Sequence, residues 1–207
     1  SPRVLPARLL LPRGRCAGFF VSAGFLMTVQ RVLGVDPGTI VCGYGIIDVA
    51  GSRYTYVTSG VIRPLRNAPM PDRLCTVFRG IASLIEEYRP TVLAVEEAFY
   101  GDNPKTAIKL GQARGVILVQ GVLAGMQVSE FSPRFIKQAV VGVGSATKEQ
   151  IQYMVARILK LPSPPQPTDA ADALATALCF AVQPHIEKAD DRPLTRAQRQ
   201  MKALGIL

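Results

Sequence analysis

Residues 31–62, RVLGVDPGTIVCGYGIIDVAGSRYTYVTSGVI, decide the fold. RVLGVDPG begins apolar, carries the acid Asp36 at its end and stops at Pro-Gly, so it reads as a buried strand closed by a turn. GYGIIDVA, 43–50, reads as a second strand. Gly51-Ser52 is a hairpin signal, and the β-branched, aromatic run RYTYVTSGVI reads as a third strand. Three strands joined by short turns form an antiparallel meander. An Asp before Pro-Gly ordinarily serves the turn. Whether Asp36 does more depends on what other segments bring to the same end of the sheet.

Downstream, MPDRLCTVFRGIASLIEEYRP, 70–90, repeats apolar residues at steps of three and four (Leu74, Val77, Phe78, Ile81, Leu84, Ile85, Tyr88). That spacing predicts an amphipathic helix ended by Pro90. TVLAVEEAFY, 91–100, is an apolar strand ending in Glu96 and Glu97. A long helix follows over 103–126, with Asn103 as cap and Pro104 in the first turn. QVSEFS is a short fifth strand. Ser132-Pro133 starts a helix that stops at Gly142, and GVGSAT is a Gly-rich loop before a helix from Lys148, with Val155, Ile158 and Leu159 on its apolar face. PSPPQP, 162–167, is a stiff connector to a last helix, TDAADALATALCFAV, capped by Thr168. The order β-β-β-α-β-α-β-α-α-α with right-handed crossovers implies an α/β fold. Its five-stranded mixed sheet has three antiparallel strands plus two parallel ones, with helices on both faces. Sites in such sheets lie beyond the carboxyl ends of the parallel strands.

The 207 residues are enough for one domain with a substantial core, and 48% hydrophobic with 19% charged residues is a globular composition. The net charge of +9 is unevenly spread: residues 100–160 hold eight basic and three acidic side chains. A basic zone of this kind fits a polyanion, most often nucleic acid. Cys16, Cys42, Cys75 and Cys179 are scattered and form no C-x-x-C pair, which excludes a zinc ribbon or a disulfide framework and fits a reducing compartment. No stretch is long and apolar enough for a membrane span. Residues 1–26 are Arg-rich and acid-free, resembling a leader; the simpler reading is a foreign or mis-set start ahead of Met27. The folded unit is expected over 27–184, and 185–207 as a basic, frayed tail.

Asp36 and the Glu96/Glu97 pair end strands that a right-handed crossover makes parallel neighbours. Asp169 and Asp172 are three apart in the first turns of the last helix and share one face. Each acid alone has an ordinary explanation as turn former, solvated side chain or cap. Together, three distant segments deliver carboxylates to one sheet edge, and such crowding requires cations. All-oxygen ligands suit Mg²⁺ or Mn²⁺, and two such ions suit phosphodiester hydrolysis. The single histidine, His185, lies beyond the last helix, which argues against a Ser-His-Asp system. GVGSATK lacks the spacing of a P-loop.

These pieces, GVDPGT…GYGI, AVEEAFY, KLGQARG, FIKQAVVGVGSATK and DAADALATAL, resemble in order the bacterial RuvC family of Holliday junction resolvases, from about Val32 to Ala181. The resemblance implies a ribonuclease H-like fold and an endonuclease that makes symmetric paired nicks in four-way DNA junctions and leaves 5′ phosphates. It implies that Asp36, Glu96, Asp169 and Asp172 hold two Mg²⁺ ions, with Mn²⁺ able to substitute; strand parity alone does not choose Glu96 over Glu97. It gives Lys148 a part in catalysis and DNA binding, and sets Lys137, Lys105, Phe99 and Tyr100 against DNA, with Phe99 stacking on bases near the crossover. It further implies a homodimer, a branch-migration partner of the RuvA and RuvB type, and a place in the bacterial cytoplasm at the nucleoid. Two other classes compete. Actin-like and sugar-kinase-like ATPases also open with Asp-x-Gly-Thr but need a second half-domain with its own loop. A non-catalytic junction-binding module would not need all four acids.

Overall fold

The computed structural model describes residues 28–97 and 104–183. Phe99, Tyr100, the Asn103 cap and the segments 1–26 and 185–207 lie outside the described residues. Strands β1 (Gln30–Asp36), β2 (Cys42–Ala50) and β3 (Arg53–Ile62) form the meander. Helix α1 (Met70–Tyr88) leads to β4 (Val92–Glu96), and α2 (Pro104–Leu123) to β5 (Gln127–Phe131). Helices α3 (Pro133–Val141), α4 (Lys148–Ile158) and α5 (Thr168–Ala181) complete the described elements. The sheet order is β3-β2-β1-β4-β5, antiparallel on the β3-β2-β1 side and parallel from β1 through β4 to β5.

The central strands β1 and β4 are apolar throughout because both of their faces are covered. One face, carrying Val32, Val92 and Ala94, packs beneath α3, α4 and α5. The other, carrying Leu33, Val35, Leu93 and Val95, packs against α1 and α2. Helix α5 sits over the middle of the sheet, and all of it except Thr168, Asp169 and Asp172 is buried. It is Ala-rich because it lies directly on strand backbone. A side chain at Gly34 of β1 would overlap the Ala173 carbonyl, and one at Gly45 of β2 would overlap Leu174.

Two sequence expectations need correction. Thr168 is not the cap of α5 but its first residue; Pro167 holds the cap position, and no side chain caps the helix. On α1 the expected Val77, Ile81 and Leu84 are buried, joined by Arg73, with Ile85 and Tyr88 packed beside them, but Phe78, expected on the same stripe, is 37% exposed. Leu74 and Phe78 face instead a shallow groove against Gly111, Gly115 and Val119 of α2. The apolar periodicity of α1 thus serves two surfaces, the sheet and this groove.

Candidate active site

Strand β1 ends at Asp36 because Pro37-Gly38 turns the chain. The turn requires glycine, since a Cβ at position 38 would overlap the Val41 carbonyl oxygen. The parallel register pairs Val35 with Val95, so the next residues, Asp36 and Glu96, stand side by side at the carboxyl ends of adjacent strands, roughly 5 Å apart in backbone. Alternation puts both on the face of Val32, Val92 and Ala94, beneath α5. Glu97 follows the strand and is exposed. Register therefore selects Glu96, a choice that the sequence pattern left open.

Three helices close the cleft. Helix α5 contributes Asp172, with Ala175 behind it. Helix α3 starts where β5 ends: Ser132 Oγ accepts from the Phe135 amide, Pro133 takes the first turn, and Ile136 and Lys137 line the cleft. Helix α4 opens with a capping box, in which Gln150 N–H donates to Thr147 Oγ1 (3.3 Å) and Thr147 N–H donates to Gln150 Oε1 (2.9 Å). That box fixes Lys148 at the helix start, where its Nζ donates to Asp172 Oδ2 at 3.2 Å. The side chain of Asp172 is 14% exposed and that of Lys148 67%, so the ammonium closes the solvent side of the cleft.

Burial dominates the electrostatics. It pushes the Asp36 carboxyl up to about 8, with Glu96, Asp172 and Asp169 adding to the rise and Lys148 opposing it. Burial and then Asp172 push Glu96 up to about 7, against Lys148 and Lys137. Asp172 in turn raises the affinity of Lys148 for its proton. With all three carboxyls ionised, the cleft would set three negative charges against two ammonium groups; the raised values of Asp36 and Glu96 mark that excess, which a hard, oxygen-seeking cation would neutralise in place of protons. Among the described residues, no three or more Asp, Glu, His or Cys side chains are closed around one ion position.

The expected site residues do not all gather here. Asp36, Glu96, Asp172, Lys137 and Lys148 line the cleft. Asp169 does not; its backbone lies against Gly43, the β2 residue opposite Asp36, and from there its charge reaches Asp36. Lys105 is exposed in the first turn of α2 and does not line the cleft. No pattern in the sequence pointed to Ile136 and Ile151 in the apolar wall or to the buried Arg73. The i to i+3 pairing of Thr147 with Gln150 was a readable signal for the placement of Lys148.

An antiparallel meander extended by two parallel strands, with an acidic cleft at their carboxyl ends, defines a ribonuclease H-like protein. Residues 32–180 match the family model described as crossover junction endodeoxyribonuclease RuvC, and the chain belongs to that family. The crossover junction endodeoxyribonuclease RuvC of Heliobacterium modesticaldum is 48% identical over 150 residues, covering 72% of this chain and 93% of the relative. A Thermus thermophilus RuvC structure superposes with a TM-score of 0.68 at 34% identity, covering 74% of this chain and 94% of that one. T. thermophilus RuvC in complex with Holliday junction substrate gives a TM-score of 0.67 at 32% identity, with the same coverage.

Proposed function

We propose that this cleft is the hydrolytic centre with which the chain, a Holliday junction resolvase, nicks four-way junction DNA in recombination and repair. The observation that carries the assignment is the β1–β4 register, which aligns Asp36 with Glu96 beneath Asp172 and Lys148. The donor set fits Mg²⁺, with Mn²⁺ able to substitute: Asp36, Glu96 and Asp172 would hold two ions, with Asp169 supporting them from beside Gly43. When bound, such ions acidify water and offset charge on a leaving oxygen. The chain's own contribution is placement and charge. Asp36 and Glu96 release protons when cations arrive, Lys148 moderates the charge of the carboxylates, and Lys137 holds a backbone phosphate at the rim. The apolar wall of Ile136 and Ile151 limits water in the cleft.

Two copies would cut two strands of like polarity across a junction with pseudo-two-fold symmetry. A surface for such a homodimer is available on α2, where Ile108, Gly111, Gly115, Val119 and Val122 form one exposed stripe beside Phe78. Lys105, Phe99 and Tyr100 belong to the DNA-facing group in this reading. A RuvA and RuvB type motor is the partner, and the bacterial cytoplasm at the nucleoid is the setting. The nuclease unit spans 27–184.

The test is incubation with a labelled mobile four-way junction, a linear duplex and a Y-fork, first in Mg²⁺ and then in Ca²⁺. Paired symmetric nicks in the junction with Mg²⁺, and binding without cutting in Ca²⁺, are expected. Equal cutting of the linear duplex would refute junction specificity.

A further inference from the structure

Three polar side chains are buried among the described residues: Thr39, Arg73 and Thr176. Two of them meet. The Arg73 guanidinium, on the first turns of α1, donates from Nε to the Thr39 carbonyl at 2.7 Å, from Nη2 to the same carbonyl, and from Nη2 to Thr39 Oγ1 at 2.9 Å. Arg73 is 9% exposed and Thr39 6%. A buried guanidinium whose partners are a carbonyl and a hydroxyl, rather than a carboxylate, is a costly way to tie a helix to a loop. Its forked donor geometry is what a single apolar or ammonium side chain could not reproduce.

The tied loop is the one that follows Asp36. Thr39 lies three residues beyond the acid. Gly38 packs on the Val41 carbonyl, so the short segment between β1 and β2 is a tight turn. At its far end, Gly43 stands opposite Asp36 in the β1–β2 ladder and rests on the backbone of Asp169. A shift of the loop would therefore reach both acids. The charges that act on Asp36 are those of Glu96, Asp172, Asp169 and Lys148, and Arg73 is not among them.

We infer that Arg73 is a positioning residue: its fork clamps the Pro37–Val41 loop to α1 and thereby holds the Asp36 carboxylate in line with Glu96 and Asp172. This rests on the cleft being the hydrolytic centre. The experiment compares the wild type with Arg73→Lys, Arg73→Met and Thr39→Val. It reads kcat on saturating junction in Mg²⁺, junction Kd in Ca²⁺, melting temperature, and amide hydrogen exchange across residues 38–42. Misplacing a reacting group by about 1 Å costs up to roughly 100-fold in rate. The clamp predicts kcat lower by roughly 10- to 100-fold in both Arg73 variants and by a smaller factor in Thr39→Val. Junction Kd should stay within about two-fold, and exchange in 38–42 should accelerate in all three variants.

A purely structural Arg73 would lower the melting temperature while leaving kcat of the folded protein intact. Wild-type kcat in Arg73→Lys and Thr39→Val, or unchanged protection of 38–42, would overturn the inference. Should Arg73→Met not fold, those two variants still decide it. A wild type that fails to cut junctions defeats the reading of the cleft itself, whereas a cutting wild type with equally active variants defeats only the clamp.

Discussion

Replacing Asp36 with Asn should make the metal-free protein more stable at alkaline pH while removing its ability to cut. The Asp36 carboxyl moves from 3.8 to about 8 on folding, chiefly because it is buried and secondly because Glu96, Asp172 and Asp169 crowd it. A group with a raised folded pKa favours the folded state while protonated. Its contribution is complete below about pH 4 and is lost as pH climbs toward about 8, where the folded protein must carry the charge. At about 1.4 kcal/mol per pH unit, the interval sets a ceiling of roughly 6 kcal/mol. Glu96, pushed from 4.5 to about 7, titrates together with Asp36, so the relief is shared and half the ceiling, ~3 kcal/mol, falls to Asp36. Asparagine keeps the shape and never ionises. In a domain of this size each kcal/mol moves the melting temperature by about 2–4 °C. Asp36→Asn should therefore melt roughly 6–12 °C above the wild type at pH 8.5 in EDTA, with the advantage shrinking toward zero near pH 4. Thermal melts of both proteins from pH 4 to 9 check this. A variant that melts at or below the wild type at pH 8.5, or an advantage independent of pH, would refute the claim that folding crowds and buries this carboxylate.

Asp172→Asn should reduce cutting in Mg²⁺ by at least about 100-fold and leave junction binding in Ca²⁺ at low salt intact; parallel loss of both would argue against a ligand role. Lys148→Met removes the one cation that opposes the rise of both Asp36 and Glu96, so the pH of half-maximal cutting should move upward, as a pH–rate profile would show. Lys137→Ala should weaken junction binding and lower the slope of log Kd against log salt by about one. Gly34→Ala forces a methyl into the Ala173 carbonyl; overpacking of this kind costs about 1–3 kcal/mol, visible as a lower melting temperature together with a lower rate.

The sheet was legible because its signals are local. Alternation, turn dipeptides and crossover handedness gave the strand order, and Pro37-Gly38 marked where β1 had to end. Asp36 and Asp172 could be placed at one sheet edge once those strand ends were known, whereas Asp169, grouped with them on helical spacing, falls outside the cleft lining. Glu96 against Glu97 was not legible, because β4 is apolar on both faces, and only the position of α5 over one face breaks the tie. Arg73 was hidden for the opposite reason. A charged residue on an amphipathic helix reads as solvated, and its burial depends on a loop 34 residues earlier in the chain. The cap at Thr168 failed because a Thr before an acidic turn fits either side of a helix boundary, and Pro167 had already set it. The groove between α1 and α2 was missed because a periodic pattern counts apolar positions without saying what each one faces.

The contact between α5 and the strands beneath it has a practical corollary. Where glycine meets alanine, no flexible side chain lies between them to absorb a displacement. A small movement of β1, whose Gly34 lies on Ala173 and Ala177, is passed nearly whole to Asp172. Interior substitutions that a melting curve barely registers should thus depress nicking measurably, so for this protein a junction assay would report core distortion more sensitively than a thermal denaturation experiment.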